Sequence, residues 1–365
     1  MPDPKKLQAL EKIAKKAKEK YGDDFFFFSL REGEKYLLPE AVPTGILGLD
    51  IATNLGGIPR GRAIEFYGPE SGGKTTMALA VAAAFQRQGL SVLYVDAENS
   101  LSLEHIRFMG VQEESFYVAQ PASGEVALNL IRDVVSEGLM DLVILDSIPA
   151  LAFQRELDGS AEDQHMAVLA RYMTQLTRFL NAYLSRHNIT VLFINQVRDQ
   201  IGANPKYGPA ESTPGGRAVK HFASLRLSIR KGSTIRQGGK DGPPIGHTVK
   251  VKVEKSKFGP PRSFDINLYY GKGFDLVTHL VETAKLFGVL ERSGAWIVFG
   301  ERRFHGTAQF AEYLASEPGL AEEIRQRVLQ VALSSGENPL NDTPEPDDEE
   351  DFGLLEPGVT VPGSF

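Results

Sequence analysis

One octet constrains this chain more than any other stretch: Gly68-Pro69-Glu70-Ser71-Gly72-Gly73-Lys74-Thr75. It follows the apolar run Ala63-Ile64-Glu65-Phe66-Tyr67 and leads into the helix-forming stretch Thr76-Met77-Ala78-Leu79-Ala80-Val81-Ala82. A strand that feeds a glycine-rich turn and then a helix is the order a phosphate cradle needs. Gly68, Gly72 and Gly73 let backbone N–H groups turn toward phosphate oxygens, and the helix adds its positive end. In such a cradle Lys74 reaches the β- and γ-phosphates, and the Thr75 hydroxyl holds Mg2+. The octet therefore implies a nucleoside triphosphate site.

The residues around it alternate between strand and helix patterns. The spacing predicts strands over 62–67, 91–96, 141–146 and 189–195, with helices over 74–88, 103–109, 124–137 and 166–186. That alternation implies a mostly parallel sheet covered on both faces. Segments 222–230, 247–254 and 263–270 alternate at period two, which adds antiparallel strands to the same sheet. Arg155 to His165 and Arg198 to Gly216 fit neither pattern. Both follow strand ends on the side where open α/β sheets bind ligands, and long loops there are usually functional. After Gly271 comes a compact helical module, with Trp296 in a short hairpin. At the other end, residues 5–20 space Leu7, Leu10, Ile13, Ala14 and Ala17 as one face of a lysine-rich helix. The run Phe25 to Phe28 then reads as an apolar strand, suited either to a second copy of the chain or to an edge of its own sheet.

Composition narrows the function classes. The 365 residues include no cysteine, which excludes disulfides, thiolate metal sites and cysteine nucleophiles and fits a reducing cytoplasm. No window approaches the apolar length of a membrane span, so a soluble cytoplasmic protein with no membrane partner is expected. The net charge of −7 is carried by the end of the chain, because Asp342 to Glu356 holds eight acidic residues and no basic one. The rest is near neutral. Such a tail either solubilises the protein or competes with nucleic acid for a basic surface.

Several residues near strand ends carry candidate chemistry. Leu142 to Leu145 is a buried strand that ends in Asp146-Ser147, the arrangement that brings a carboxylate to nucleotide-bound Mg2+. The strand from Ser91 to Val95 ends in Asp96-Ala97-Glu98. Glu98 is the candidate for orienting or deprotonating the attacking water, and a surface acid or a helix cap is the alternative. Strand Val191 to Ile194 ends in Asn195-Gln196 directly before the second long loop, where an amide can report the γ-phosphate to that loop. Basic residues gather late in the chain. Lys250 and Lys252 alternate with valines and face solvent, whereas Lys255 and Lys257 fall in phase with the valines where the strand runs out; lysines there are more often solvated by a local twist than functional, and functional ones would have to reach across an interface.

The phosphate loop, Asp96-Ala97-Glu98, Asp146-Ser147, Phe193-Ile194-Asn195-Gln196 and Gly215-Gly216, in this order and spacing, resemble the bacterial RecA recombinase family over residues 5 to 335. The resemblance implies an α/β P-loop NTPase (RecA-like) core with a mostly parallel central sheet covered by helices. It divides the chain into an N-terminal helix and strand (1–40) that dock on a neighbouring protomer, the ATPase core (41–270), a small α+β C-terminal domain (271–335) and an acidic tail (336–365). It also implies an ATP- and Mg2+-dependent helical homo-oligomer on single-stranded DNA that exchanges strands with double-stranded DNA and triggers a self-cleaving repressor.

By the same resemblance, Gly68, Pro69, Glu70, Ser71, Gly72, Gly73, Lys74, Thr75 and Thr76 bind nucleotide, Asp146 supports the metal with Thr75, Glu98 is the catalytic carboxylate and Gln196 couples nucleotide to DNA. Ser102 and His105 stand where the family usually has aspartate and tyrosine at the base, and Tyr270 matches a second aromatic there. Residues 155–165 and 198–214 correspond to DNA-binding loops, and Met166, Arg171, Thr174, Arg178, Ile201, Gly215, Gly216 and Arg217 to DNA contacts. Arg230, Lys231, Lys250 and Lys252 correspond to a second, duplex site, and Lys255 and Lys257 to lysines that enter the neighbour's ATP site. Two other uses of the same core remain open at this stage: a ring motor, and an ATP-gated DNA scaffold without strand exchange.

Overall fold

The computed structural model describes residues 3–22, 27, 38–154, 162–199, 211–239, 241–334 and 339–342. Packing divides the chain into two units, Met1–Glu40 and Ala41–Phe365. The first contains helix α1 (Pro4–Tyr21), started by Asp3, whose side chain accepts from the Lys5 N–H at 3.0 Å, and by proline at the first turn. Its Leu7, Leu10 and Ile13 are exposed. The strand expected at Phe25–Phe28 lies outside the described residues apart from Phe27, which is exposed.

In the second unit the strands in chain order are β1 (Ala41–Val42), β2 (Ile58–Pro59), β3 (Ala63–Gly68), β4 (Val92–Asp96), β5 (Phe116–Ala119), β6 (Leu142–Asp146), β7 (Thr190–Gln196), β8 (Arg198–Asp199), β9 (Glu211–Ser212), β10 (Leu225–Arg236), β11 (Pro244–Ser256), β12 (Ser263–Tyr269) and β13 (Gly273–Phe274). Nine form one sheet in the order β13-β12-β11-β10-β3-β7-β6-β4-β5. From β5 to β10 neighbours run parallel, and β11, β12 and β13 continue the sheet antiparallel. Residues in β4, β6 and most of β7 are buried on both faces, as strands under two helical layers must be. In β11, Val249, Val251 and Val253 are buried while Lys250 and Lys252 are exposed.

The helices are α2 (Leu47–Ala52), α3 (Lys74–Arg87), α4 (Leu103–Phe108), α5 (Gly124–Ser136), α6 (Glu162–His187) and α7 (Gly216–Phe222). Helix α3, which the octet launches, is apolar on nearly every side because it lies between the sheet and other elements. Two apolar cores result. One joins α2, α3 and the later helices on one face of the sheet. The other joins α5, α6 and α7 on the opposite face.

Two sequence expectations shift, and one strand of the sheet was not expected. Helix α6 begins at Glu162, so the last residues of the first expected loop form its opening turn. The segment expected to start a strand at 222 instead ends α7, and β10 starts at Leu225. Strand β5 gave too weak a signal, since Tyr117 and Val118 are exposed at the sheet edge.

After Gly271, helices α8 (Leu276–Leu286), α9 (Gly306–Ser316) and α10 (Pro318–Ser334) pack on one another, and α9 also packs on a three-stranded sheet of β14 (Glu291–Ser293), β15 (Trp296–Phe299) and β16 (Arg302–His305), one strand more than the expected hairpin. Packing is continuous across Gly271, because α8 and α10 both lie on α2. Polar ties reinforce that contact. Buried His279 on α8 accepts the Gly48 N–H at 2.9 Å through Nε2. Arg262, also buried, donates to the Ala332 carbonyl near the end of α10 at 3.1 Å. Asp50 on α2 accepts from the Thr44 N–H at 2.8 Å and the Thr44 hydroxyl at 2.7 Å, with Arg325 of α10 at 3.7 Å.

Candidate nucleotide site

The carboxyl ends of β3, β4, β6 and β7 point the same way, and the candidate residues follow from where each strand stops. At the end of β3 the chain passes so close to β10 that a Cβ on Gly68 would stand 2.0 Å from the Ile229 carbonyl oxygen. Glycine is therefore required there by space. The loop then delivers Lys74 at the first turn of α3, where it is buried and its Nζ donates to the carbonyls of Gly68 (3.1 Å) and Pro69 (2.5 Å). Burial pulls the Lys74 ammonium below its ordinary pKa, and Asp146, Glu98 and Glu70 pull the other way.

Thr75 sits one residue deeper and donates to Asp146 Oδ2 at 2.8 Å. The Tyr94 hydroxyl on β4 donates to the same oxygen at 2.6 Å. Burial pushes the Asp146 carboxyl up, against both hydrogen bonds. A threonine hydroxyl beside one carboxylate is a sparse donor set, and no cluster of three His, Cys, Asp or Glu residues that would cage a metal exists among the described residues. This fits Mg2+, which takes few protein ligands and completes its shell with phosphates and water.

Beyond β4, Asp96 shapes the turn that carries Glu98. It accepts from the N–H groups of Ser100 and Leu101, each at 3.2 Å, and from Gln120 Nε2 at 3.1 Å. Glu98 is thereby aimed at the ends of β6 and β7. Its Oε1 accepts from the Ser147 hydroxyl at 2.5 Å and from Gln196 Nε2 at 3.1 Å.

A pocket of about 770 Å³ runs from this cluster along the glycine loop to His105, Phe108, His247 and Tyr270. His105 lies 3.3 Å from the Thr76 hydroxyl, and His247 Nδ1 lies 3.3 Å from the Tyr270 hydroxyl. Burial pushes both imidazoles below their ordinary pKa, helped at His247 by the charge of Lys231. Ser102 caps α4 by accepting the His105 N–H at 3.4 Å and is not among the lining residues. Sequence reasoning missed His247, Phe108, Tyr94 and the hydroxyl of Ser147. Only Ser147 lay inside a quoted motif.

Lys231 is also a lining residue, although the sequence assigned it to a duplex surface with Arg230. Strand parity explains the difference. Arg230 pairs with Lys250 and Ser228 with Lys252, whereas Lys231 pairs with Val249, whose side chain packs behind Gly73. Neighbouring strand residues face opposite ways, so Arg230, Lys250 and Lys252 share one face and Lys231 has the other. Arg230 Nε donates to the Ser228 hydroxyl at 3.1 Å, and Lys252 pairs with Glu254 at 2.9 Å.

A bulge corrects the reading of Lys255. Leu227 pairs with Val253 but Arg226 pairs with Lys255, so Glu254 is an extra residue and the phase reverses there. Lys255 therefore leaves the valine face. Its Nζ donates to the carbonyls of Lys220 and His221, both at 2.8 Å, at the C-terminal end of α7. Lys257 is exposed, and neither lysine lines the pocket of its own chain.

The second loop is tied to the sheet at its end. Asn195 Nδ2 donates to buried Glu65 at 2.9 Å and to the Pro214 carbonyl at 3.1 Å, and Glu65 also pairs with Arg226. Gly215 and Gly216 have φ of +85° and +72° and start α7. A Cβ on Gly216 would approach the Ala170 Cβ to 3.0 Å, which sets how closely α7 lies on α6. Arg171 and Arg178 are exposed on α6, and Arg217 is exposed at the start of α7. Thr174, between the two α6 arginines, donates to the Ala170 carbonyl at 2.7 Å. Ile201 and the Met166 side chain lie outside the described residues.

A glycine cradle between a parallel strand and a helix, with a carboxylate at the end of a neighbouring strand, defines a phosphate-loop nucleotidase. The RecA N-terminal domain family matches residues 8–275. A Protein RecA of Thermus thermophilus is 43% identical over 343 residues, which cover 92% of this chain and 99% of that protein. Protein RecA of Heliobacterium modesticaldum is 39% identical over 88% of this chain and 92% of its own length, and that of Aquifex aeolicus is 37% identical over 91% and 95%. The chain belongs to the bacterial RecA recombinase family, a DNA-dependent ATPase that assembles with itself on DNA and acts in recombination and repair. Among the described residues no helix is long and apolar enough to cross a membrane.

Proposed function

We propose that this chain binds ATP and Mg2+ in the pocket at a seam between two copies, forms helical filaments on single-stranded DNA, and pairs and exchanges that strand with a homologous duplex. Lys74 and the loop amides hold the phosphates, Thr75 and Asp146 hold the metal, and His105 and Tyr270 flank the base. The metal supplies charge neutralisation at the β- and γ-phosphates. Glu98 orients and deprotonates the attacking water. Arg171, Thr174, Arg178, Gly215, Gly216 and Arg217 contact single-stranded DNA, together with Met166 and Ile201. Arg230, Lys250 and Lys252 hold the duplex on the opposite face of β10 and β11 from the nucleotide. The same filament, in this reading, triggers a self-cleaving repressor, works in the cytoplasm, and grips a neighbour through its first forty residues.

One observation carries the coupling between nucleotide and DNA. Gln196 touches Glu98, and the residue before it, Asn195, holds Pro214 at the end of the second loop. A γ-phosphate that draws the Gln196 amide moves the strand end from which the DNA loop hangs, and DNA that orders the loop returns the effect to Glu98.

The test is ATP hydrolysis with and without single-stranded DNA. Wild type is expected to accelerate sharply on DNA, and Glu98→Gln to lose about 100-fold of the stimulated rate while still binding DNA. Turnover indifferent to DNA would remove the coupling given to Gln196. Undiminished turnover in Glu98→Gln would remove the carboxylate's role.

A further inference from the structure

Glu98 is two residues beyond the end of β4, on a turn, and a carboxylate there needs something to fix its direction. Two groups do so, and they differ in kind. Ser147 is fully buried at the end of β6, and its carbonyl is engaged by the Ala150 N–H at 3.2 Å, so its hydroxyl has a fixed origin. Gln196 is the last residue of β7 and leads into a loop. Both donate to the same oxygen, Oε1, at 2.5 Å and 3.1 Å.

We propose that Ser147 is the positioning residue for Glu98, the fixed holder that keeps the carboxylate aimed after Gln196 has turned to the nucleotide. The inference rests on the reading of Glu98 as the residue that activates water. Its chemistry is simple. A hydroxyl that donates to a carboxylate makes a short, charge-assisted hydrogen bond. Because both holders use Oε1, Oε2 is left for the attacking water. With the nucleotide absent, the carboxylate has two donors. When Gln196 leaves for the γ-phosphate, as the coupling requires, Ser147 alone holds it. The serine thus matters most in the state that turns over fastest, the nucleotide- and DNA-bound one.

This makes the expected kinetics unequal. Ser147→Ala removes one oxygen from a buried position and is expected to lower the DNA-stimulated kcat by about 10- to 100-fold, the scale of a misaimed catalytic group. The DNA-free rate falls by a smaller factor, because without DNA to order the loop the γ-phosphate draws Gln196 away from Glu98 only part of the time, and the KM for ATP changes little. Ser147→Thr, which keeps the hydroxyl, restores part of the stimulated rate. A serine that served only to fill space would instead lower both rates together and weaken nucleotide binding.

The experiment measures steady-state ATP hydrolysis by the full chain, with and without single-stranded DNA, for wild type, Ser147→Ala, Ser147→Thr and Glu98→Gln. Thermal unfolding and binding of a fluorescent ATP analogue are read alongside. A larger loss in the stimulated rate than in the DNA-free rate, with partial rescue by threonine, supports the proposal. Wild-type stimulated turnover in Ser147→Ala, or an equal loss in both rates, overturns it. If Ser147→Ala behaves as wild type while Glu98→Gln is inactive, only the positioning role fails. If Glu98→Gln itself remains active, the catalytic reading fails and takes the inference with it.

Discussion

Reversing the charges of Lys255 and Lys257 together, as Lys255→Glu with Lys257→Glu, is expected to cut DNA-stimulated ATP turnover by about 1,000-fold or more. Filament assembly with a non-hydrolysable analogue is expected to fail as well. The argument begins with the charges lining the pocket. Its cationic side chains are Lys74 and Lys231, and its acids are Glu70, Glu98 and Asp146. His105 and His247 add little positive charge at neutral pH, since burial pushes both toward the neutral form. A triphosphate brings about four further negative charges, so even with Mg2+ the pocket of a single chain is short of positive charge. On the proposed reading, charge from a second copy fills that shortage, as an arginine finger does.

The position of Lys255 supports its candidacy and supplies a control. In the protomer it caps the end of α7, an interaction worth about 0.3–1 kcal/mol, so the lysine can leave at small cost and its replacement should barely alter thermal unfolding. A variant that melts like wild type yet neither assembles nor turns over ATP has lost the seam rather than the fold. Retention of both activities would mean that each nucleotide is served by one chain alone.

How much of this was legible in the sequence depended on distance along the chain. The phosphate cradle, the acid at Asp146 and the carboxylate at Glu98 follow from strand, turn and helix patterns a few residues long, and they meet where the open sheet requires. Strand parity is also readable: it turns Lys250 and Lys252 to one face, and the same parity separates Arg230 from Lys231. The bulge at Glu254 carries no local signature, because an extra residue in one strand shows only against its partner. Gly215 and Gly216 read as loop residues, whereas they start a helix whose close approach to Ala170 is a tertiary fact. His247, reached from Tyr270 across β11 and β12, was invisible for the same reason.

The attachment of the module after Gly271 was equally hidden, and it leads to the second large effect, which is one of stability and pH. His279 is buried, accepts the Gly48 N–H through Nε2 and bonds the Asp265 backbone, an arrangement that only a neutral imidazole can keep. Burial pushes its pKa down to about 4, with the Asp265 backbone and Glu282 pulling modestly upward. The unfolded chain accepts that proton near the ordinary value of about 6.5, so between these values the unfolded state binds more protons and acidification costs stability. By pH 4 the cost is about 3 kcal/mol.

Asp50, on the neighbouring helix α2, acts in the opposite direction. Burial raises its carboxyl to about 6, against Thr44 and Arg325, so the folded state holds this proton more tightly and acidification below pH 6 returns about 2 kcal/mol. The two effects nearly cancel in wild type, and differences between variants separate them. Relative to wild type, His279→Gln is expected to gain about 3 kcal/mol between pH 7 and pH 4 in denaturant unfolding, and Asp50→Asn to lose about 2. Parallel curves for wild type and His279→Gln would mean that the imidazole takes up its proton in place. The hydrogen bond from Gly48 would then not be the brace that joins this module to the sheet.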